Sequence, residues 1–336
     1  MIETVSPATL LELLEAAPAS NTAINLPESG TKVTYSQLRQ QVGALADAFA
    51  SAGAARGDRI ALALPNGLPA IAGFLAASVA GTAAPLNPGY RYDEFRFYLE
   101  DTNARLLVAP PGGAEEARRA AGDRGIPVLT VDADASGRVH IEGAAAGGSA
   151  PSPTPEDVAL VLHTSGSTGR PKRVPLQHRN LARSALNIAG TYQLSPSDVS
   201  LCLMSLFHVH GLVASVLATL LTGGAVVVPS RFNALSFWRT VRDYRATWYS
   251  AVPTIHQLLV ARIGSERAAG AENLRFIRSC SAALPVEMAR RMESAFGAPV
   301  LEAYGMTEAS HQMCSNPLPP AARKPGSVSD PVKSVT

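Results

Sequence analysis

The sequence predicts an α/β protein with parallel strands, arranged in two halves. Two observations carry that expectation. Helical and strand-like apolar patterns alternate along all but the last part of the 336 residues. Several short apolar runs end in polar turns that contain glycine or alanine, the place where open α/β sheets bind ligands. The composition agrees. A 46% hydrophobic and 17% charged chain supports a sizeable core, and the length suits about two domains.

The elements follow in order. "TYSQLRQQVGALADAFASAG" reads as a helix. Thr34 and Gln37 form a capping box, Leu38, Val42, Leu45 and Phe49 recur on one face, and Gly53 ends it. "RIALAL" (59–64) reads as a buried strand, and "LPAIAGFLAASVAG" as the next helix. "ARLLVAP" and "IPVLTVD" are strands on either side of a charged helix. "EGAAAGGSAPSPTPED" (142–157) lacks periodicity and reads as a flexible surface connection. "VALVLH" is a further strand, followed by a helix from about Asn180. Strands "VSLCLM", "AVVVP" and "ATWYS" then alternate with helices from Gly211, over 234–244 and over 253–263. "LRFIRS" and "PVLEAY" flank the helix "VEMARRMESAFG". The expected division is 1–145, a connection over 146–156, a second subdomain over 157–315, and an unpatterned segment over 316–336.

Charge narrows the function classes. With 29 basic and 27 acidic residues the net charge is +2, which gives no support for nucleic-acid binding over a broad surface. Glu3 and the lack of a basic start followed by an apolar core argue against a signal peptide. The most apolar run is broken by Gly223 and Gly224 and stays short of membrane-spanning length, so no membrane insertion is expected. Cys202, Cys280 and Cys314 are widely spaced and form no CxxC pair, so a reducing cytoplasm is the simplest compartment.

The motif with most chemistry is "HTSGSTGRPK", His163 to Lys172. It is not a Walker loop, because Lys172 follows Pro171 and precedes Arg173. Hydroxyls at Thr164, Ser165, Ser167 and Thr168 surround Gly166 and Gly169. Glycines admit a phosphate close to the backbone, successive amides form an anion nest, and Lys172 adds a mobile charge. Such a segment alone is more often a solvated turn; its place after a buried strand favours a ligand. Three more strand ends carry polar turns: "FHVHG" (207–211), "SCSAALP" (279–285) and "EAYGMTE" (302–308).

Together, in this order, these motifs resemble those of the adenylate-forming enzymes, the superfamily of acyl-CoA synthetases, luciferases and peptide-synthetase adenylation domains. The resemblance runs from "TYSQLRQQV" to "KPGSV". It implies two doubly wound sheet subdomains and an ATP-dependent ligase that forms an acyl-adenylate and then passes the acyl group to CoA. By that resemblance Thr164, Ser165, Gly166, Ser167, Thr168, Gly169 and Lys172 handle the β- and γ-phosphates of ATP. Ser281, Ala282 and Ala283 line the adenine; Glu302, Ala303, Tyr304 and Gly305 form the next adenine-side segment, with Tyr304 as the stacking ring. Thr307 meets the α-phosphate, Glu308 with Thr164 associates with magnesium, His208 gates the acyl site, and Arg231 sits near the CoA phosphates. Lys172, His208, Thr307 and Glu308 are the catalytic set.

"LFHVHGL" with "EAYGMTEASHQMCSNPLP" looks most like the oxalate–CoA ligases among these. His208, His210, Ser281 and His311 are the candidate acid-binding residues. All donate hydrogen bonds, which a small dianion needs and an aryl or fatty acid does not. His210 as a core histidine on a backbone carbonyl, His311 as a surface turn residue, and a metal site from His208, His210 and His311 stand as alternatives. His163 reads as structural. Relatives continue with a "TGD" segment, an arginine near a hinge and a small domain carrying a lysine. None follows here, and Ser329 stands where relatives usually have glycine. The chain is therefore expected to be an N-terminal part lacking the lid domain. A ligase for another small, aryl or fatty acid, and an inactive remnant, remain as alternatives.

Overall fold

A computed structural model describes residues 7–145, 147–164, 171–263, 269–328 and 330–332. The chain divides into two compact units, one of 1–20 with 33–182 and one of 21–32 with 183–336.

The first unit is built on a seven-stranded sheet. Its order is Val139–Glu142, Val128–Ala133, Ala104–Ala109, Arg59–Leu62, Thr82–Pro85, Val158–Thr164 and Lys172–Gln177. The middle five strands are parallel and the two outer pairs antiparallel. Parallel strands covered on both faces are apolar throughout, as Ile60, Leu62, Leu106 and Leu107 are here. Helix Leu68–Ala80 is buried almost all round, which is why its sequence shows no polar face. Helix Tyr35–Ser51 has the predicted capping box. Gln37 N–H donates to Thr34 Oγ1 at 3.2 Å, and Thr34 N–H donates to Gln37 Oε1 at 2.8 Å.

Two expectations are corrected in this unit. The division does not fall at 146–156. Strands Val158–Thr164 and Lys172–Gln177 extend the first sheet from its Thr82–Pro85 edge, so the unit runs through 182. The expected flexible connection is also tied down. Gly148 N–H donates to Ser51 Oγ at 2.7 Å, Ala150 N–H to Asp47 Oδ1 at 2.9 Å, and Arg56 Nη2 to the Ser152 carbonyl at 2.9 Å. A Cβ on Gly148 would sit 2.5 Å from Ser51 N, so glycine is what lets the connection lie this close.

The second unit carries a nine-stranded sheet. From one edge it runs Asp330–Pro331, His311–Ser315, Val300–Met306, Phe276–Ser279, Trp248–Ala251, Val199–Cys202, Ala225–Val227, Thr22–Leu26 and Thr31–Thr34. The six strands from Val300–Met306 to Thr22–Leu26 are parallel. Strand Thr22–Leu26 joins through Ile24↔Val226, a pairing about two hundred residues apart that no local pattern announces. Helices Phe237–Asp243, Pro253–Val260 and Val286–Phe296 contribute to a core built around Tyr249, Ile277, Met292 and Phe296.

Two further departures bear on the site. The helix expected from Gly211 is a π-helix, His210–Leu217, continued by α-helix Ala218–Leu221. π-helical turns are rare and are frequently found at functional sites. A Cβ at Gly211 would lie 2.4 Å from the Ser205 carbonyl oxygen, so only glycine fits as the chain enters that turn. The segment after Ser315, which the sequence left unpatterned, folds back. Asn316 Nδ2 donates to the Ser327 carbonyl at 2.6 Å, and Gly326 N–H donates to Glu302 Oε2 at 2.8 Å.

Candidate active site

In the first unit the phosphate-loop motif connects the two strands of an antiparallel hairpin, Val158–Thr164 and Lys172–Gln177. Thr164 and Lys172 face each other as register partners in antiparallel strands. Ser165, Gly166, Ser167, Thr168 and Gly169 lie outside the described residues. Lys172 is exposed, and among the described residues no carboxylate pairs with it. The base of the hairpin is anchored by His163, whose Nε2 lies 2.9 Å from Asp101 Oδ2 and whose ring packs against Tyr98. Arg173 donates to the Asp101 carbonyl. These contacts give His163 the structural place expected of it.

In the second unit the remaining motifs sit at the carboxyl ends of neighbouring parallel strands. Ser250 pairs with Arg278, and Ser279 with Glu302, across adjacent strands. Ser250 and Arg278 therefore point to the same side of the sheet. Tyr249 and Ile277, one residue earlier, point into the aromatic core on the other side.

The two halves of the acid-binding expectation meet here. His210 Nδ1 lies 2.9 Å from Ser281 Oγ, and Nε2 lies 2.6 Å from Ser250 Oγ. The His210 and His311 rings stack, with centroids 5.3 Å apart. His311 Nε2 is buried with no hydrogen-bond partner among the described residues. Burial pulls the His210 imidazole well below its usual range, and the charges of Arg278, His256 and His208 lower it further. His311 is lowered in the same way by burial, Arg278 and His210. Both rings are neutral at physiological pH. The backbone around them is strained: Ser281, Ser310 and His311 have φ of +69°, +55° and +115°. Each such residue costs about 1–3 kcal/mol, and two of the three carry side chains into the same contact.

These observations decide between the alternatives for the histidines. His311 is buried, not a surface turn residue. His210 bonds to two hydroxyls rather than to a backbone carbonyl. No cluster of three His, Cys, Asp or Glu among the described residues could hold a metal ion. His208 is exposed and its ring packs on Phe207.

Around the cluster, Ser281, Ala282 and Ala283 form an exposed small-residue corner. Tyr304 is half exposed, while Ala303 is buried and the Glu302 carboxylate is held by Gly326 N–H. Thr307 and Glu308 lie on the one-turn helix Thr307–Ala309, with Glu308 exposed and in no described ion pair. Arg231 opens onto a separate cleft of about 560 Å³, lined also by Lys32 and Arg239.

Sequence reasoning missed Ser250, Arg278, Tyr192 and Gln312, which support His210. The signal for Arg278 was present: a charged residue inside the buried run "LRFIRS", where arginine is rare unless it has a task. Ser250 and Gln312 offered none.

The profile of the AMP-binding enzyme family matches residues 14–336. The chain belongs to this family. It is 42% identical to a probable CoA ligase of Humulus lupulus over 96% of this chain and 64% of that protein. It is 45% identical to the oxalate–CoA ligase of Arabidopsis thaliana over 89% of this chain and 60% of that protein. It is 40% identical to the oxalate–CoA ligase of Saccharomyces cerevisiae over 93% and 63%. The chain thus spans less than two thirds of these relatives' length. Among solved structures, ATP-bound MatB from Rhodopseudomonas palustris superposes with a TM-score of 0.85 at 28% identity, over 97% of this chain and 64% of that one. The two-sheet α/β architecture is that of adenylate-forming enzymes. No described helix is long and apolar enough to cross a membrane.

Proposed function

We propose that this chain carries the nucleotide and acid sites of an AMP-forming acid–CoA ligase, and that its acid is oxalate. The observation that carries the acid is the His210–Ser281–His311 cluster. Two neutral imidazoles and a hydroxyl converge there on strained backbone, with one buried ring nitrogen unpaired among the described residues. A fatty or aryl acid gains nothing from such donors, whereas the second carboxylate of a small dianion needs them to leave water. The 45% and 40% identities to two oxalate–CoA ligases support the same reading.

In the first half-reaction a carboxylate oxygen of the acid attacks the α-phosphorus of ATP and the bond to pyrophosphate breaks. Both partners are anionic, so the residues must neutralise charge and align the attack. Lys172 and the 164–169 loop take the β- and γ-phosphates. Thr307 donates to the α-phosphate. Tyr304 and the Ser281–Ala283 corner take the adenine. Glu308, exposed and free of ion pairs among the described residues, suits magnesium, which keeps most of its waters and takes one or two carboxylates beside phosphate oxygens. Glu308 would hold the ion, a role the family resemblance also gives to Thr164, and magnesium would offset the charge of the leaving pyrophosphate. In the second half-reaction the CoA thiol attacks the carbonyl carbon and AMP leaves. Arg231, with Lys32 and Arg239 beside it, takes the CoA phosphates.

Pyrophosphate release with ATP and magnesium, measured for oxalate, a long-chain fatty acid and coumarate, tests the reading. Release with oxalate alone is expected. Release with the long-chain acid alone would exclude oxalate, and no release with any acid would favour a non-catalytic chain. Lys172→Ala is expected to weaken ATP binding on the order of tenfold, the loss of one charge-assisted contact. Unchanged affinity would remove Lys172 from the phosphate site.

A further inference from the structure

Arg278 is one of the largest fully buried side chains in the protein, and its partners are all neutral. Nε donates to the Tyr192 hydroxyl at 3.0 Å, Nη1 to Ser250 Oγ at 3.1 Å and Nη2 to Gln312 Oε1 at 3.2 Å. No described carboxylate forms an ion pair with it. A guanidinium taken out of water without a counter-anion is destabilising, so folding alone does not account for its presence.

The donor pattern has a consequence. Arginine has five N–H donors and no acceptor, so Ser250 Oγ accepts from it. The only other described partner of Ser250 Oγ is His210 Nε2, at 2.6 Å. The Ser250 hydroxyl therefore donates to Nε2, which leaves the ring proton on Nδ1. Nδ1–H in turn donates to Ser281 Oγ at 2.9 Å. Having accepted that bond, Ser281 keeps its own hydroxyl proton for a ligand. The reverse polarity would give Ser250 two donors and strand its own proton as an unsatisfied buried donor. It would also spend the Ser281 proton on Nδ1 and leave only lone pairs facing an incoming carboxylate.

We propose that Arg278 is a positioning residue for the acid site: through Ser250 it fixes the Nδ1–H form of His210 and so makes Ser281 a hydrogen-bond donor to an anionic substrate. The relay Arg278, Ser250, His210, Ser281 converts one buried cation into a donor at the pocket, and it sets specificity for a second carboxylate over a methyl or ring. This rests on the small-dianion reading of the acid site. Neutral His210 is a condition for the relay, and its burial beside Arg278 keeps it so.

The test uses the full chain with ¹⁵N-labelled histidine. Long-range proton–nitrogen spectra report which ring nitrogen is protonated, and His210→Gln identifies the His210 signals. The wild type is expected to show a single Nδ1–H form. Ser250→Ala, a small change in a site that keeps Arg278, is expected to release His210 to a mixture or to Nε2–H. Arg278→Met is expected to do the same if it folds, and Arg278→Lys to restore part of the wild-type pattern. Oxalate affinity is expected to fall on the order of tenfold in Ser250→Ala and Arg278→Met, with ATP affinity within about twofold of the wild type. An Nε2–H wild type, or an Nδ1–H form unchanged in Ser250→Ala, overturns the relay. Absence of oxalate binding by the wild type would overturn the oxalate reading instead, while the ring-proton result still decides the relay.

Discussion

Gly305→Ala is expected to open the hairpin that carries His311. A Cβ at Gly305 would lie 1.7 Å from the His311 carbonyl oxygen and 2.5 Å from its carbon. Both are backbone atoms, so no rotamer change relieves the contact. The pairing of strands Val300–Met306 and His311–Ser315 already shifts register between Tyr304 and Gly305, and the bulge exists only because residue 305 lacks a side chain. Overpacking of side chains typically costs about 1–3 kcal/mol; a backbone clash at this distance belongs at or above the upper end. At roughly 2–4 °C per kcal/mol for a unit of this size, the second unit should melt about 6–12 °C lower by scanning calorimetry. His311 should leave His210 as the strands part. Gly43→Ala is the control. It lies inside helix Tyr35–Ser51 with nothing within 4 Å of its Cβ position, so it should stabilise by about 0.5–1 kcal/mol. A Gly305→Ala protein that melts with the wild type would show that the bulge does not hold His311.

Acid is expected to destabilise the protein well before its carboxylates protonate. His178, His210, His256 and His311 are buried, and burial lowers each of them. His178 shows why charge is excluded. Its Nδ1 accepts the Leu10 N–H at 3.2 Å, and its Nε2 lies 2.9 Å from the Ser78 carbonyl. Only the neutral ring satisfies both. Unfolded, each ring titrates near pH 6.5; folded, each titrates lower. Between those values the unfolded chain binds more protons, so stability is full above about pH 6.5 and falls as pH drops toward the folded values. His256, lowered to about 4, alone removes roughly 3 kcal/mol by pH 4. Urea midpoints measured at pH 7.5, 6.0 and 4.5 should fall steadily, and His256→Gln should flatten part of that fall. A midpoint that holds down to pH 4.5 would contradict the neutral-ring account, including the neutral state of His210.

Much of this architecture was legible in the sequence because it rests on local rules. The Thr34–Gln37 capping box and the apolar strand runs declared themselves. What stayed hidden depends on distant partners. Strand Thr22–Leu26 reveals its place only through Ala225–Val227. The boundary at 182 depends on which sheet accepts strand Val158–Thr164. At the site, His210, Ser281 and His311 were readable as donors, but their convergence needed positive φ at Ser281 and His311. Non-glycine residues adopt positive φ only uncommonly, and no local pattern marks Ser281 or His311 as doing so. Arg278 was visible as an anomaly, but its meaning appeared only with Ser250 in register beside it.

The central claim is that the pocket is built for a second carboxylate. Calorimetric titration of the chain with oxalate and with propionate, in the presence of magnesium and a non-hydrolysable ATP analogue, tests it most directly. The two acids are close in size, and propionate carries an ethyl group where oxalate carries a second carboxylate. Oxalate should bind at least on the order of tenfold more tightly, the worth of one well-placed charge-assisted hydrogen bond. Equal affinity, or tighter binding of propionate, would contradict it.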